Sequence, residues 1–348
     1  MSKTGSHPTL ADVARKAGVG TTTVSRVING GNRVSPRTLN RVRSVIEQLG
    51  YMPNQAARIL KGERTKTIGM VIPSIADSFF SSCAEAAQEI ARANDSLLIV
   101  TVTNNDPHIE MENLNVLMRH RTDGLLLAPA NYQSETLAEF LSRISTPIVS
   151  FDRPAPKAGV PSVVADNYNG ARLAIEHLIG HGYKRILCLG GETTLYTMRE
   201  RLRGYRHAIE ESGLPALIDM SVKDYKSAEY AIESHLSAPQ PPDAIFTLKN
   251  SATIYAFETL QKLKVAVPKT VALLGFDDFE LASTLRPSVS VVQQPVEDLG
   301  RIAAEILFEQ MFPAQKKKHP LTKKRQDQVK LETRLVLRNS CGCNQTSL

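Results

Sequence analysis

Between Thr21 and Asn29 the chain sets Thr21, Thr22, Ser25, Arg26 and Asn29 along one short segment. These are hydroxyls, a guanidinium and an amide, the groups that hydrogen-bond to base edges and phosphate oxygens. A second set of polar residues follows short apolar runs further along: Pro73–Phe80, Asp152-Arg153, Gly190–Arg201, Lys249-Asn250 and Asp277-Asp278. Their mixture of carboxylates and cations suits a small, polar ligand. Cys341-Gly342-Cys343 offers two thiolates, which is half of a tetrahedral metal site. The eight histidines fall at unrelated spacings and read as surface residues, so no metal is expected. No Gly-x-Gly-x-x-Gly or Walker loop follows an apolar run, and no Ser/His/Asp constellation stands out. The chemistry is that of recognition: no catalytic residue and no cofactor are expected.

The first set needs a helix to present it. Thr9-Leu10-Ala11-Asp12 has the form of a capping box, Val13, Ala14 and Ala17 repeat on one face, and Gly18 is placed to end the helix. A second helix begins near Gly20 or Thr21 and buries Val24, Val27 and Ile28, leaving the five polar side chains opposite. Ser35-Pro36 starts a third, with Leu39, Val42, Val45, Ile46 and Leu49 as its stripe and Gly50 as its stop. Three short helices with a tight turn between the first two predict an all-α helix-turn-helix DNA-binding domain. Charge agrees. Residues 1–66 hold 12 Lys and Arg against 3 Asp and Glu, whereas the remaining 282 residues hold 30 against 32. A basic head on a near-neutral body points to a polyanion partner for the head alone.

The second set needs strands. Apolar runs at Thr67–Ile72, Leu97–Val102, Gly124–Leu127, Ile148–Phe151, Arg185–Leu189, Ala244–Leu248 and Val271–Gly275 alternate with helical stretches such as Phe79–Asn94, Tyr168–His181 and Ser251–Leu263. That alternation predicts an α/β body of doubly wound parallel sheets, whose ligands bind at the carboxyl ends of the strands. A final strand is expected over Leu331–Leu337, after a basic surface loop, Lys316–Arg325.

The segments Thr9–Val19 and Thr23–Asn29, continued by Tyr51-Met52-Pro53-Asn54, resemble the head of the LacI/GalR repressor family. Gly20 stands where that family usually has a serine cap. The resemblance puts Thr21, Thr22 and Arg26 in the major groove, and makes Thr23, Ser25 and Asn29 phosphate contacts. It also counts Thr9, Tyr51 and Asn54 among the DNA-facing residues. It makes the segment from Asn54 to Gly62 a hinge helix, with Leu60 as a minor-groove wedge and Ala57 beside it. The body carries the family's Ser150–Pro154, Asp166-Asn167, Glu200–Tyr205 and Gly275–Asp278. This implies two lobes like those of periplasmic sugar-binding proteins, joined by three crossovers. In that frame Asp152, Arg201 and Asp277 hold the effector's polar groups, and Phe79 and Tyr225 offer it aromatic faces. Lys249-Asn250 departs from the family's usual Asn-Asp. That exchange moves the pocket toward positive charge and predicts an effector with an anionic group, such as a sugar phosphate or sugar acid.

The expected domains are a helix-turn-helix domain over 1–53, a hinge over 54–64 and an effector and dimerisation domain over 65–348. Its N-lobe is placed at about 65–163 and 293–325, and its C-lobe at about 164–292 and 326–340. The expected partners are pseudopalindromic operator DNA, a sugar-like effector and a second copy of the chain, since helix-turn-helix pairs read two-fold sites. No leucine heptad follows Ser340, so a dimer is expected and a four-helix tetramer is not. Whether the effector induces or acts as a corepressor stays open, and two further rival readings are an enzyme of the doubly wound class and an exported sugar receptor. The first lacks a catalytic constellation; the second has no use for the basic head, and Met1–Thr9 has no apolar stretch. Four scattered cysteines fit reduced thiols in a cytoplasmic, nucleoid-associated protein without a membrane span.

Overall fold

The computed structural model describes residues 8–30, 33–52, 64–157, 159–191, 193–313 and 328–343. It divides into two compact units, Met1–Thr65 and Lys66–Leu348.

In the first unit, α1 (Leu10–Ala17), α2 (Thr21–Ile28) and α3 (Pro36–Leu49) enclose a small core of Val13, Ala14, Ala17, Val24, Val27, Val42 and Val45. The expected punctuation is in place. Thr9 and Asp12 close a capping box, in which Thr9 N donates to Asp12 Oδ2 at 2.9 Å and Asp12 N donates to Thr9 Oγ1 at 3.3 Å. Gly18 and Gly50 end α1 and α3 at φ 63° and 60°, left-handed values that glycine adopts without a Cβ penalty. Ser35 caps α3 through Thr38 N, with Pro36 in the first turn. Gly20 caps α2 by its backbone alone.

The second unit is two lobes, each a six-stranded sheet with helices on both faces. The strands are β1 (Thr67–Ile72), β2 (Leu97–Val102), β3 (Gly124–Leu127), β4 (Ile148–Phe151), β5 (Ser162–Ala165), β6 (Ile186–Leu189), β7 (Leu217–Asp219), β8 (Ala244–Thr247), β9 (Ala272–Phe276), β10 (Ser290–Gln293), β11 (Gln328–Leu331) and β12 (Arg334–Val336). The first sheet runs β11-β5-β4-β3-β1-β2 and is all parallel. The second runs β12-β10-β9-β8-β6-β7 and is parallel except for β12. Central strands such as β3, β4, β6, β8 and β9 are buried along their whole length. This is why they read as unbroken apolar runs without alternation.

The first lobe carries α4 (Ser78–Ala93), α5 (Pro107–Arg119), α6 (Glu135–Arg143) and α11 (Val296–Met311); the second carries α7 (Asn167–Gly180), α8 (Tyr196–Glu211), α9 (Tyr225–Leu236) and α10 (Asn250–Lys262). Two helix pairs meet at a glycine. A Cβ on Gly204 of α8 would lie 2.2 Å from the Tyr168 carbonyl of α7, and one on Gly300 of α11 would lie 2.2 Å from the Cys83 carbonyl of α4. Only glycine permits either approach.

The chain passes between sheets three times: after β5, between β10 and α11, and between β11 and β12. Two expectations change here. The single final strand Leu331–Leu337 is two strands in different sheets, so the last crossover falls at 332–333 and not at 325–326. The first crossover follows Ala165, so all of β5 belongs to the first lobe. The strands β5, β7 and β10 are only three or four residues long, too short to give a periodic signal.

Candidate functional site

On α2, Thr21, Thr22 and Arg26 are exposed, Thr23 and Ser25 are half-buried, and Asn29 caps the helix in an exposed position. Val24 and Val27 face the core on the other side. The helix therefore offers a polar face one side chain deep, with Arg26 long enough to reach a base edge. Thr9 is exposed, but its hydroxyl donates to Asp12 Oδ2 at 2.6 Å. Tyr51, expected at the DNA, is instead part of the core of the first unit at 9% exposure. Its ring is apolar area that a unit this small needs inside. Asn54, Ala57 and Leu60 lie outside the described residues, as does the Lys316–Arg325 loop.

Between the lobes of the second unit lies a cleft of about 250 Å³. Phe79, Asp152, Arg201, Lys249 and Asp277, five of the six expected effector contacts, line it. Tyr225 does not. It shares a face of α9 with the buried Ala228 and Ile232, its ring packs edge-on against Tyr255 of α10 at 6.1 Å, and its hydroxyl donates to Glu229 Oε1 at 3.4 Å.

Each lobe contributes one carboxylate directly after a strand-terminal phenylalanine. Asp152 follows Phe151 of β4 and Asp277 follows Phe276 of β9. Both have left-handed backbones, φ 62° and 72°, a conformation that is uncommon outside glycine and that gathers at ligand sites. Each carboxylate has an arginine. Arg153 Nε donates to Asp152 Oδ2 at 3.1 Å, and its Nη1 donates to Asn105 Oδ1 at 2.7 Å and Pro129 O at 3.0 Å. Arg201 comes from α8. Its Nε donates to Asn167 Oδ1 at 2.7 Å, Nη1 to Leu248 O at 2.7 Å and to Asp277 Oδ2 at 3.1 Å, and Nη2 to Asp277 Oδ1 at 3.4 Å. The guanidinium lies 3.8 Å over the Phe276 ring. Arginine has five N–H donors and these contacts engage four, leaving one Nη2 hydrogen for a ligand.

Burial pushes the Asp152 carboxyl up despite Arg153 and Arg201, and Asp277 and Asp77 add to the rise. Burial likewise pulls Arg153 down. Behind this corner Glu110 of α5 is buried and accepts from Ala130 N at 2.6 Å; desolvation pushes it up to about 7.

Residues 65–334 match the family model for periplasmic binding proteins and the sugar binding domain of the LacI family, and residues 9–54 match that for bacterial regulatory proteins of the lacI family. The chain belongs to the LacI family. It is 34% identical over 305 residues to the ribose operon repressor of Escherichia coli (strain K12), covering 86% of this chain and 92% of that protein. It is 32% identical over 312 residues to catabolite control protein A of Priestia megaterium, covering 87% and 92%. A solved transcriptional regulator CelR–cellobiose complex is similar at TM-score 0.69 and 31% identity, over 96% of this chain and 99% of that one. The lac repressor dimer bound to operator and the anti-inducer ONPF reaches TM-score 0.84 at 22% identity, over 97% and 99%, a likeness of fold. As a LacI-family protein the chain is a DNA-binding transcriptional regulator with a sensor domain of the sugar-binding kind. No helix among the described residues is long and apolar enough to cross a membrane.

Within this LacI-family cleft, Lys249 does not add free positive charge. Its Nζ stands 3.5 Å from Asp77 Oδ2, and Asn250 Nδ2 donates to Asp77 Oδ1 at 3.5 Å. Asp77 caps α4 in the first lobe, and Lys249 caps α10 in the second, so the pair bridges the lobes. Three lining cations, Arg153, Arg201 and Lys249, thus meet three lining carboxylates, Asp77, Asp152 and Asp277. The cationic pocket inferred from Lys249-Asn250 is not what the fold builds. Asp77, Asn105, Arg153 and Gln294 are among the polar lining residues that sequence reading left without a role. Asn105 follows β2, so the strand-end rule would have found it had that loop been inspected, whereas Gln294 follows β10, a strand too short to read from the sequence.

Proposed function

We propose that this regulator is a homodimeric repressor whose operator affinity is set by a compact, uncharged polyol of monosaccharide size bound between the lobes. The observation that carries this is the charge-balanced cleft: every lining cation already faces a carboxylate, so an anionic effector has to displace one. Hydroxyls can instead bridge the pairs. Gln294 adds to the case, since its Nε2 donates to Asp277 Oδ1 at 2.5 Å while its buried Oε1 has no partner among the described residues. That oxygen is an acceptor awaiting a donor, and a ligand hydroxyl supplies one. The volume falls below the roughly 300–1,000 Å³ of pockets that hold drug-sized ligands, which favours one sugar ring over two. The names of the relatives, ribose operon repressor and the CelR–cellobiose complex, point to neutral sugars, the first of one ring and the second of two.

The exposed face of α2 reads the major groove, with Arg26 specifying a base and its neighbours fixing register. Two such heads in a dimer require a two-fold operator. Effector and operator then alter each other's affinity by the same factor, because both bias one equilibrium of the body. The cytoplasm is where such a protein works, and no turnover of the bound sugar is expected; among the described residues no histidine lines the cleft to serve as a base.

The test is operator binding by the full chain with and without neutral pentoses, hexoses, their phosphates and the corresponding acids. A neutral monosaccharide shifting operator affinity at least fivefold, and binding more tightly than its phosphate, is the expected result. A phosphate or acid binding tenfold more tightly than its neutral parent overturns the reading.

A further inference from the structure

Cys341-Gly342-Cys343 lacks metal-ligand partners nearby in sequence, and the fold supplies them. His177 and His181 stand four residues apart at the carboxyl end of α7, with ring centroids 4.6 Å from each other. They are neighbours and not scattered, His177 half-buried and His181 exposed. The segment after β12 returns to this helix end, where Cys341 is fully buried against Ala174 and Leu178 of the core. His177 Nε2 lies 3.4 Å from Cys341 Sγ and 3.5 Å from Cys343 Sγ, and His181 Nε2 lies 3.3 Å from Cys343 Sγ. Gly342 makes the turn possible. It sits at φ 94°, and a Cβ there would stand 2.8 Å from the Tyr183 hydroxyl.

We propose that His177, His181, Cys341 and Cys343 form a tetrahedral site for a zinc-like divalent ion that fastens the C-terminal segment to α7. Zinc binds imidazole nitrogen at about 2.0–2.1 Å and thiolate sulfur at about 2.3 Å, so the N–S edges of a tetrahedral site measure about 3.5 Å. The three observed N–S separations match that edge. His177 Nε2 carries at most one hydrogen yet faces two sulfurs, which a shared cation explains more simply than a divided hydrogen bond. A single cation satisfies the His177, His181 and Cys343 contacts at once, since their ligand atoms all lie within 4.8 Å of one another, and Cys341, 3.4 Å from His177, completes the set by a shift of its side chain. Both histidines present Nε2, and Ser290 Oγ donates to Cys341 Sγ at 3.1 Å, a neighbour of the kind that orients a thiolate ligand. Soft sulfur with imidazole selects zinc over magnesium or calcium, which take oxygen ligands.

Four protein ligands leave no open position, so the site is structural and not catalytic. Its place gives it a consequence. Helix α7 starts directly after the first crossover, and the Cys-Gly-Cys turn follows β12, which starts directly after the third. The ion therefore ties together, within the second lobe, the chain leaving two of the three crossovers. It is independent of the effector cleft, none of whose lining residues it shares.

The experiment uses the untagged full chain, stripped with chelator and kept under a phosphine reductant, then titrated with zinc and, separately, with cobalt as a spectroscopic probe. The expected result is one equivalent of zinc, a thiolate-to-cobalt charge-transfer band with tetrahedral d–d bands, and a zinc-dependent rise in Tm of about 5 °C or more. His181→Gln and Cys343→Ser, both toward the solvent side of the cluster, should weaken zinc binding at least tenfold while leaving operator binding of the metal-free protein within twofold. Uptake of less than a tenth of an equivalent by reduced wild-type protein overturns the proposal. So does uptake that is the same in both variants as in wild type, because the ion is then held elsewhere.

Discussion

Along α2 the recognising groups stand on consecutive turns of one helix, whereas the six charged groups of the cleft come from the cap of α4, the end of β4, the middle of α8, the cap of α10 and the end of β9. The first set is exposed or half-buried and bonded to little else. The second is bonded to itself, and Asp152, Arg153 and Arg201 are buried: Arg201 is 2% exposed and spends four of its five donors inside the protein. A surface that reads DNA must leave its donors free for bases and phosphates. A cleft that buries charges around a small ligand must hold them in fixed pairs, because a lone ion in a desolvated pocket costs more than a ligand returns. The difference predicts that substitutions on α2 change binding without touching stability, while those in the cleft change both.

The largest effect is expected from Arg201→Ala. It leaves Asp277 without its arginine and strands Asn167 Oδ1 and Leu248 O, which should destabilise the body by about 3–5 kcal/mol and abolish effector binding. Denaturant unfolding beside sugar titration reads both; a variant of wild-type stability would break the contrast. Next is Glu110→Gln. Folded protein keeps this carboxyl protonated up to about pH 7, against an ordinary value of 4.5, so folding takes up a proton between those values. Stability therefore falls as pH rises through that window and is level above it. The glutamine should remove the slope and gain about 2–3 kcal/mol at pH 8, seen by comparing unfolding at pH 5 and pH 8. Arg26→Ala should cost about 1–3 kcal/mol of operator binding and relax preference at one base pair, with Tm unchanged. A drop in Tm would mean that the exposed face of α2 is less free than it looks. The smallest effect belongs to Lys249→Ala. Its side chain is 49% exposed, so losing the Asp77 pair should cost under about 1 kcal/mol of stability. It sharpens the comparison through the ligand: if Lys249 were a free cation, the variant would lose affinity for sugar phosphates selectively.

Much of this was legible in the residues. Capping signals, the helix stripes of the head and the long buried strands of the body are local, and local rules recover them. Tyr51 and Tyr225 were misplaced because an aromatic ring near a candidate site can equally fill a core, and only packing decides. The cationic pocket was misread for a related reason: Lys249 and Asp77 are 172 positions apart, and charge neutralisation across that separation has no trace in either neighbourhood.

The sequence by itself determined the helix-turn-helix, the alternation of strands and helices, and the strand ends where a ligand must sit, because hydrophobic periodicity and backbone capping act over a few residues. Only the tertiary structure decided which charges pair, that the last apolar run divides between two sheets, and that His177 and His181 meet Cys341 and Cys343. Those outcomes depend on distances between segments far apart in the chain, set by how sheets and helices pack around a common core.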